Sequence, residues 1–96
     1  MKVRWSARAE MQLADIESYI AGDDPDAAAR WIDRLRDRVR RVAKMPRSGR
    51  VVPELGRDDI REVIVGAYRI VYSIEKRSIV VLTVFEGHHQ LDPLDE

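Results

Sequence analysis

Arg69 is the residue whose placement asks first for a chemical explanation. It lies within Tyr68-Arg69-Ile70-Val71-Tyr72, a run whose β-branched and aromatic members favour a half-buried strand. Ser73 shares its face two pleats further on. If the turn at 75–78 leaves an even number of residues between paired strands, Arg69 lies across from about Val84. Glu86 and His88 then fall on the same face by period-two parity. A guanidinium, a carboxylate and an imidazole converging at one end of a sheet could cleave RNA. One group would activate the 2′-hydroxyl, the cation would neutralise the phosphorane, and an acid would protonate the leaving oxygen. The structural reading of the same residues has Arg69 pairing with Glu86 or Glu62 to rigidify the sheet.

Arg61 is the second cation of interest, and its position depends on the Gly66-Ala67 turn. A two-residue Gly-X loop pairs Val65 with Tyr68 and puts Arg61 on the face opposite Arg69. A three-residue loop unites them. Arg61 has Asp58 and Asp59 nearby in sequence as alternative partners. Other chemistry is not signalled. The chain has no cysteine, no phosphate-binding glycine loop and no nucleophile elbow. His88 and His89 are adjacent, so on a strand they point to opposite faces and cannot chelate one metal together. No metal or cofactor is expected.

Charge is segregated along the 96 residues, although the formal net charge is zero. Residues 30–50 hold nine basic side chains against two acidic ones, whereas the flanking stretches are both net acidic. The block includes Arg34, Arg38, Arg41, Arg47 and Arg50, and arginine suits planar carboxylate and phosphate partners. It reads either as a surface for RNA, DNA or an acidic protein segment, or as the solvated face of an amphipathic helix. Apolar residues make up 45 %, a globular proportion. The absence of a long apolar run or a signal-like N-terminus points to a cytoplasmic protein with no membrane partner.

The elements that must position these groups follow from pattern. Residues 3–5 suit a short strand. Ser6 caps a helix running to about Ala21, with Ala9, Leu13, Ile16 and Ile20 on one stripe. Asp24-Pro25-Asp26 opens a second helix, because Asp24 caps and Pro25 fits the first helical position. Its buried face carries Ala28, Trp31, Ile32, Leu35, Val39 and Val42, and Pro46 ends it. Two long helices with a short join form an antiparallel hairpin. Strands are expected at 51–55, 60–65, 68–74 and 79–85. One domain, 1–96, is expected, with 88–96 a frayed tail. The fold class is α+β: a helical hairpin on a small, mostly antiparallel sheet, in the order β-α-α-β-β-β-β. Tyr19 is one residue off the first helix's main stripe, at the rim. Trp5, Trp31, Tyr68, Tyr72 and Phe85 are assigned to the core.

Asp24-Pro25-Asp26-Ala27-Ala28, Pro46-Arg47-Ser48-Gly49-Arg50, Arg61-Glu62 and Tyr68-Arg69-Ile70-Val71-Tyr72, in that order, resemble the RelE/ParE superfamily of bacterial type II toxins. The resemblance extends over residues 3–90, and Glu86-Gly87-His88-His89 is similar to the polar sequel of that family's last strand. It implies a toxin encoded with a ParD- or RelB-like antitoxin. The antitoxin's partly disordered acidic or amphipathic segment would lie along the basic hairpin or against the exposed sheet face. The resemblance also implies that promoter DNA is bound only through the antitoxin. Two branches differ in target: RelE-like members cut mRNA on the ribosome, and ParE-like members poison DNA gyrase. A nuclease reading implies roles for Arg69, Arg61, His88 or His89, and Glu54 or Glu86. A gyrase reading implies that Arg34, Arg38, Arg41, Arg47, Arg50, Arg69 and Tyr19 contact the target, gyrase or its bound DNA, or else the antitoxin. Residues 45–62 lack the lysines of RelE-type members, and no tyrosine follows Tyr72. The long helices and the 24–28 junction are more similar to ParE.

Overall fold

The computed structural model describes residues 1–87 and Leu91. Strand β1 (Lys2–Trp5) leads into helices α1 (Ala7–Ala21) and α2 (Pro25–Lys44). A single 3-10 turn (Pro46–Ser48) follows, then strands β2 (Arg50–Val51), β3 (Ile60–Val65), β4 (Tyr68–Ile74) and β5 (Ser78–Glu86). The sheet order is β1-β5-β4-β3-β2. β1 pairs parallel to β5, and the other three pairings are antiparallel. The expected order and class are those observed.

The helix ends form as their sequences dictate. The Ser6 hydroxyl accepts from the Ala9 N–H at 3.0 Å and donates to the Leu82 carbonyl at 3.0 Å, so the cap of α1 also ties it to β5. Asp24 Oδ1 accepts from the Asp26 and Ala27 N–H groups at 3.1 Å, with Pro25 where no donor is needed. Gly22, Asp23 and Asp24 join the helices, and both lie on one face of the sheet. Between helices and sheet sits the main core, which includes Leu13, Leu35, Val39, Val42, Ile70, Tyr72, Ile79 and Val81. A smaller cluster lies elsewhere: Val52, Ile60 and Val71, packed by Leu82, Phe85 and Leu91.

Two local features differ from expectation. The strand expected at 51–55 contains only Arg50 and Val51. Pro53 has no N–H for a ladder, and the chain instead closes a turn in which the Leu55 and Gly56 N–H groups donate to the Val52 carbonyl at 3.1 and 3.0 Å. Gly56 takes φ +63°, a conformation glycine adopts without steric cost. The second difference is a bulge in β5. Pairing runs Ile74↔Ile79, Ser73↔Val80 and Tyr72↔Val81, then jumps to Val71↔Thr83. Leu82 is the extra residue, and every β5 side chain beyond it exchanges faces relative to an unbroken register.

Gln12 of α1 secures that bulge. Its Oε1 accepts from the Val84 N–H at 2.7 Å, and its amide lies 2.8–3.0 Å from the Thr83 hydroxyl. Without this side chain a buried backbone donor beside the bulge would lack its partner.

Candidate functional site

The Gly66-Ala67 turn decides how the two arginines are placed. Val65 pairs with Tyr68, so the turn has two residues, and Gly66 alone takes positive φ, +58°. This is the type II′ pattern, with glycine at its first central position. Arg61 consequently pairs with Tyr72 on the helix-facing side, while Arg69 pairs with Ile64 and emerges on the other face. The two-residue alternative is the one the structure adopts.

The Leu82 bulge decides the rest. Arg69 pairs with Phe85 rather than Val84, and Glu86 pairs with Tyr68. Glu86 is therefore on the helix-facing side, and the expected convergence of Arg69 with Glu86 does not form. The turn parity holds as far as Tyr72, and the bulge reverses it beyond. His88 and His89 lie outside the described residues.

Arg69 meets two other carboxylates. Its Nε donates to Glu62 Oε1 at 2.9 Å and its Nη2 to the same oxygen at 2.5 Å. Nη1 and Nη2 form a fork onto the two oxygens of Glu54, both at 2.9 Å. The guanidinium also stacks over the Phe85 ring, 5.0 Å from its centroid. Glu62 uses its second oxygen to accept from Arg50 Nε at 2.5 Å. The Arg69 side chain is 7 % exposed and that of Glu62 is fully buried. Two arginines and two glutamates thus form a neutral chain, Arg50–Glu62–Arg69–Glu54. Glu54 extends it by accepting from the Leu91 N–H at 3.3 Å.

Electrostatics follow from these contacts. The hydrogen-bonded Arg69 guanidinium holds the Glu54 carboxyl down to about 2, from an ordinary 4.5. Glu54, and then Glu62, hold the Arg69 proton more tightly than usual, against the cost of burial. All buried side-chain nitrogens and oxygens among the described residues have a partner.

Arg61 is committed as well. Its Nε donates to the Asp58 carbonyl at 2.9 Å, its Nη2 to Asp58 Oδ1 at 2.6 Å, and its Nη1 to the Gly49 and Arg47 carbonyls at 3.0 and 3.2 Å. Arg47 pairs with the other oxygen of Asp58. The same turn is held from inside by Tyr72, whose hydroxyl donates to the Pro46 carbonyl at 2.5 Å and accepts from the Gly49 N–H at 3.2 Å. Burial raises the Tyr72 hydroxyl above its ordinary value. Gly49 is required here, because a Cβ would stand 2.8 Å from the Glu62 carbonyl oxygen and closer still to the Tyr72 hydroxyl.

The remaining expected contact residues are spread over two surfaces. Arg34, Arg38 and Arg41 run along α2, with Arg34 stacked 4.8 Å over the Trp31 ring. Tyr19, 80 % exposed, borders a cleft of about 550 Å³ whose other walls include Gln12, Ile16, Tyr68 and Glu86. Sequence reasoning anticipated Glu62 as one partner of Arg69 but missed Gln12, the Tyr72 clasp and the double role of Glu54. The two-residue turn carries the signal for Glu62, since it puts Glu62 and Arg69 on one face.

Two helices packed on one side of a five-stranded sheet, in this element order, form the α+β architecture that the RelE/ParE resemblance implied. The chromosomal ParDE toxin-antitoxin system from P. aeruginosa has the same fold, with a TM-score of 0.72 over 90 % of this chain and 95 % of that one, at 17 % identity. A family model described as ParE toxin of type II toxin-antitoxin system, parDE, matches residues 3–91. A relative named "Putative toxin Y4kP", from Sinorhizobium fredii (strain NBRC 101917 / NGR234), is 40 % identical over 92 residues, covering 93 % of this chain and 91 % of its own. The chain belongs to the ParE toxin family of type II toxin-antitoxin systems. No helix among the described residues is long and apolar enough to cross a membrane.

Proposed function

We propose that this ParE-type toxin arrests bacterial growth by binding DNA gyrase in the cytoplasm, that it acts without cutting nucleic acid itself, and that a cognate ParD-like antitoxin neutralises it. The observation that carries the non-catalytic part is the commitment of both candidate cations. Arg69 is enclosed by Glu62 and Glu54, and Arg61 is spent on the 47–49 turn and Asp58. A phosphate approaching Arg69 would have to displace a forked carboxylate whose proton affinity is already depressed. Arg61 lies on the opposite face, so the two guanidiniums cannot share one phosphate.

The cleft beside Tyr19 supports a protein partner. It offers Tyr19, Ile16 and Tyr68 as apolar surface, rimmed by Asp15 and Glu86. An amphipathic antitoxin segment that orders on binding suits such a surface.

The test is a supercoiling assay with purified gyrase and relaxed plasmid. The expected result is inhibition by the toxin, reversed by equimolar antitoxin. Unchanged supercoiling, together with mRNA cleavage on toxin-treated ribosomes, would contradict the reading and establish the RelE-like alternative. Neither effect, with no growth arrest on induction, would mean an inactive member retained as an antitoxin partner.

A further inference from the structure

The arginines of α2 divide into two sets. Arg36 forks onto Glu10 at 3.1–3.3 Å, and Arg40 pairs with Asp37 at 2.7 Å. Arg30, Arg34, Arg38 and Arg41 meet no carboxylate among the described residues. Their spacing of four, four and three residues puts them on one flank of the helix, about 16 Å from first to last. Arg30, Arg34 and Arg41 are exposed, and Arg38 is half-buried. Exposed Asp33 stands beside Arg30 and Arg34, so the line keeps an excess of about three cations, which attracts an anionic partner.

We infer that this flank binds the phosphate backbone of duplex DNA, independently of base sequence. Two observations favour DNA over an acidic protein segment or a single strand. The large exposed apolar side chains are Met1, Met11, Tyr19, Met45, Val51, Leu55 and Ile64, none of them on α2. A protein helix docking here would find no apolar seam to bury, whereas phosphate binding requires only the charges. The one aromatic residue beside the stripe, Trp31, has Arg34 over its ring and Tyr68 edge-on to it, 5.7 Å between centroids. No free aromatic face is left there for the stacking that single strands use. This contact is separate from promoter recognition, and it neither requires nor excludes gyrase as the target.

The test is fluorescence anisotropy of a labelled 20-base-pair duplex with the purified toxin at several salt concentrations. Four phosphate contacts give a log–log salt slope of about −3 to −4, so affinity falls about a hundredfold between 50 and 200 mM salt. The double variant R30A/R41A should bind more weakly and lose only about tenfold over the same range, with an unchanged denaturation curve. K76A, in the turn between β4 and β5, should keep the original slope within about half a unit. Absence of binding at 50 mM salt, or a slope that R30A/R41A leaves unchanged, would overturn the inference. So would a single strand of equal length binding as tightly, or polyglutamate displacing the duplex at equal charge concentration.

Discussion

Replacing Arg69 by methionine keeps the apolar stem against Phe85 and removes the guanidinium. Glu62, fully buried, then loses two hydrogen bonds at 2.5 and 2.9 Å and keeps only Arg50, whose side chain is 60 % exposed. Glu54 loses both arms of its fork but is one-third open to water and can rehydrate. Stranding a buried carboxylate costs about 3–5 kcal/mol. A domain of this length has about 5–14 kcal/mol in total, so R69M should lie near the edge of folding. The double variant E62M/R69M removes both buried charges and releases Arg50 and Glu54 to solvent. It should lie within about 0–2 kcal/mol of the parent, since exchanging a buried pair for apolar groups is often neutral. Urea denaturation followed by the fluorescence of Trp5 and Trp31 measures both. An R69M loss below about 1 kcal/mol, or a double variant as unstable as R69M, would refute the assignment of Arg69 to a structural ion-pair chain. The folded double variant also carries a functional consequence: Arg69 is only 7 % exposed and committed to Glu62 and Glu54, so it does not serve as a gyrase contact and a gyrase-binding toxin retains growth arrest, whereas a nuclease that relies on Arg69 loses it.

Glu54 has a folded-state value of about 2 against an ordinary 4.5, so its contribution is present above about 4.5 and is lost as pH falls towards 2. E54Q should therefore flatten the stability–pH curve in that window by about 1–2 kcal/mol, a figure discounted for its exposure; an unchanged curve would contradict the Arg69 fork. Y72F removes the donor to Pro46 and the acceptor for Gly49, and should cost about 1–3 kcal/mol and speed hydrogen exchange at the Gly49 amide. G66A places a Cβ 2.5 Å from Trp31 Cη2 at positive φ, and a loss of more than about 1 kcal/mol with altered tryptophan fluorescence is expected. Q12L leaves the Val84 N–H unpaired beside the bulge, and a loss of about 1–3 kcal/mol by urea denaturation is expected.

Much of the architecture was written locally. Ser6, Asp24-Pro25 and Pro46 mark helix ends by their own side-chain chemistry, and the runs 60–65 and 68–74 became strands at those limits. The candidate site was legible only in part, because it depends on two register decisions. One is local: Gly66-Ala67 can be read as a two-residue turn, and that reading alone separates Arg61 from Arg69. The other is not. The Leu82 bulge is held by Gln12, seventy residues earlier, and nothing within 78–86 announces it. One extra residue moved Glu86 to the helix side and brought Phe85 beneath Arg69. Glu54 was a candidate through the resemblance, but its place over Arg69 follows from the 52–56 turn that Pro53 forces out of the sheet. Arginines 30, 34, 38 and 41 were legible as a charged face, yet their lack of carboxylate partners among the described residues depends on Glu10 and Asp37 answering Arg36 and Arg40 instead.

The most direct test is pulse labelling of cells in the first minutes after the toxin is induced without its antitoxin. The account predicts an early fall in thymidine incorporation while methionine incorporation continues. An early collapse of methionine incorporation with DNA synthesis intact would contradict it and return Arg69 to catalysis.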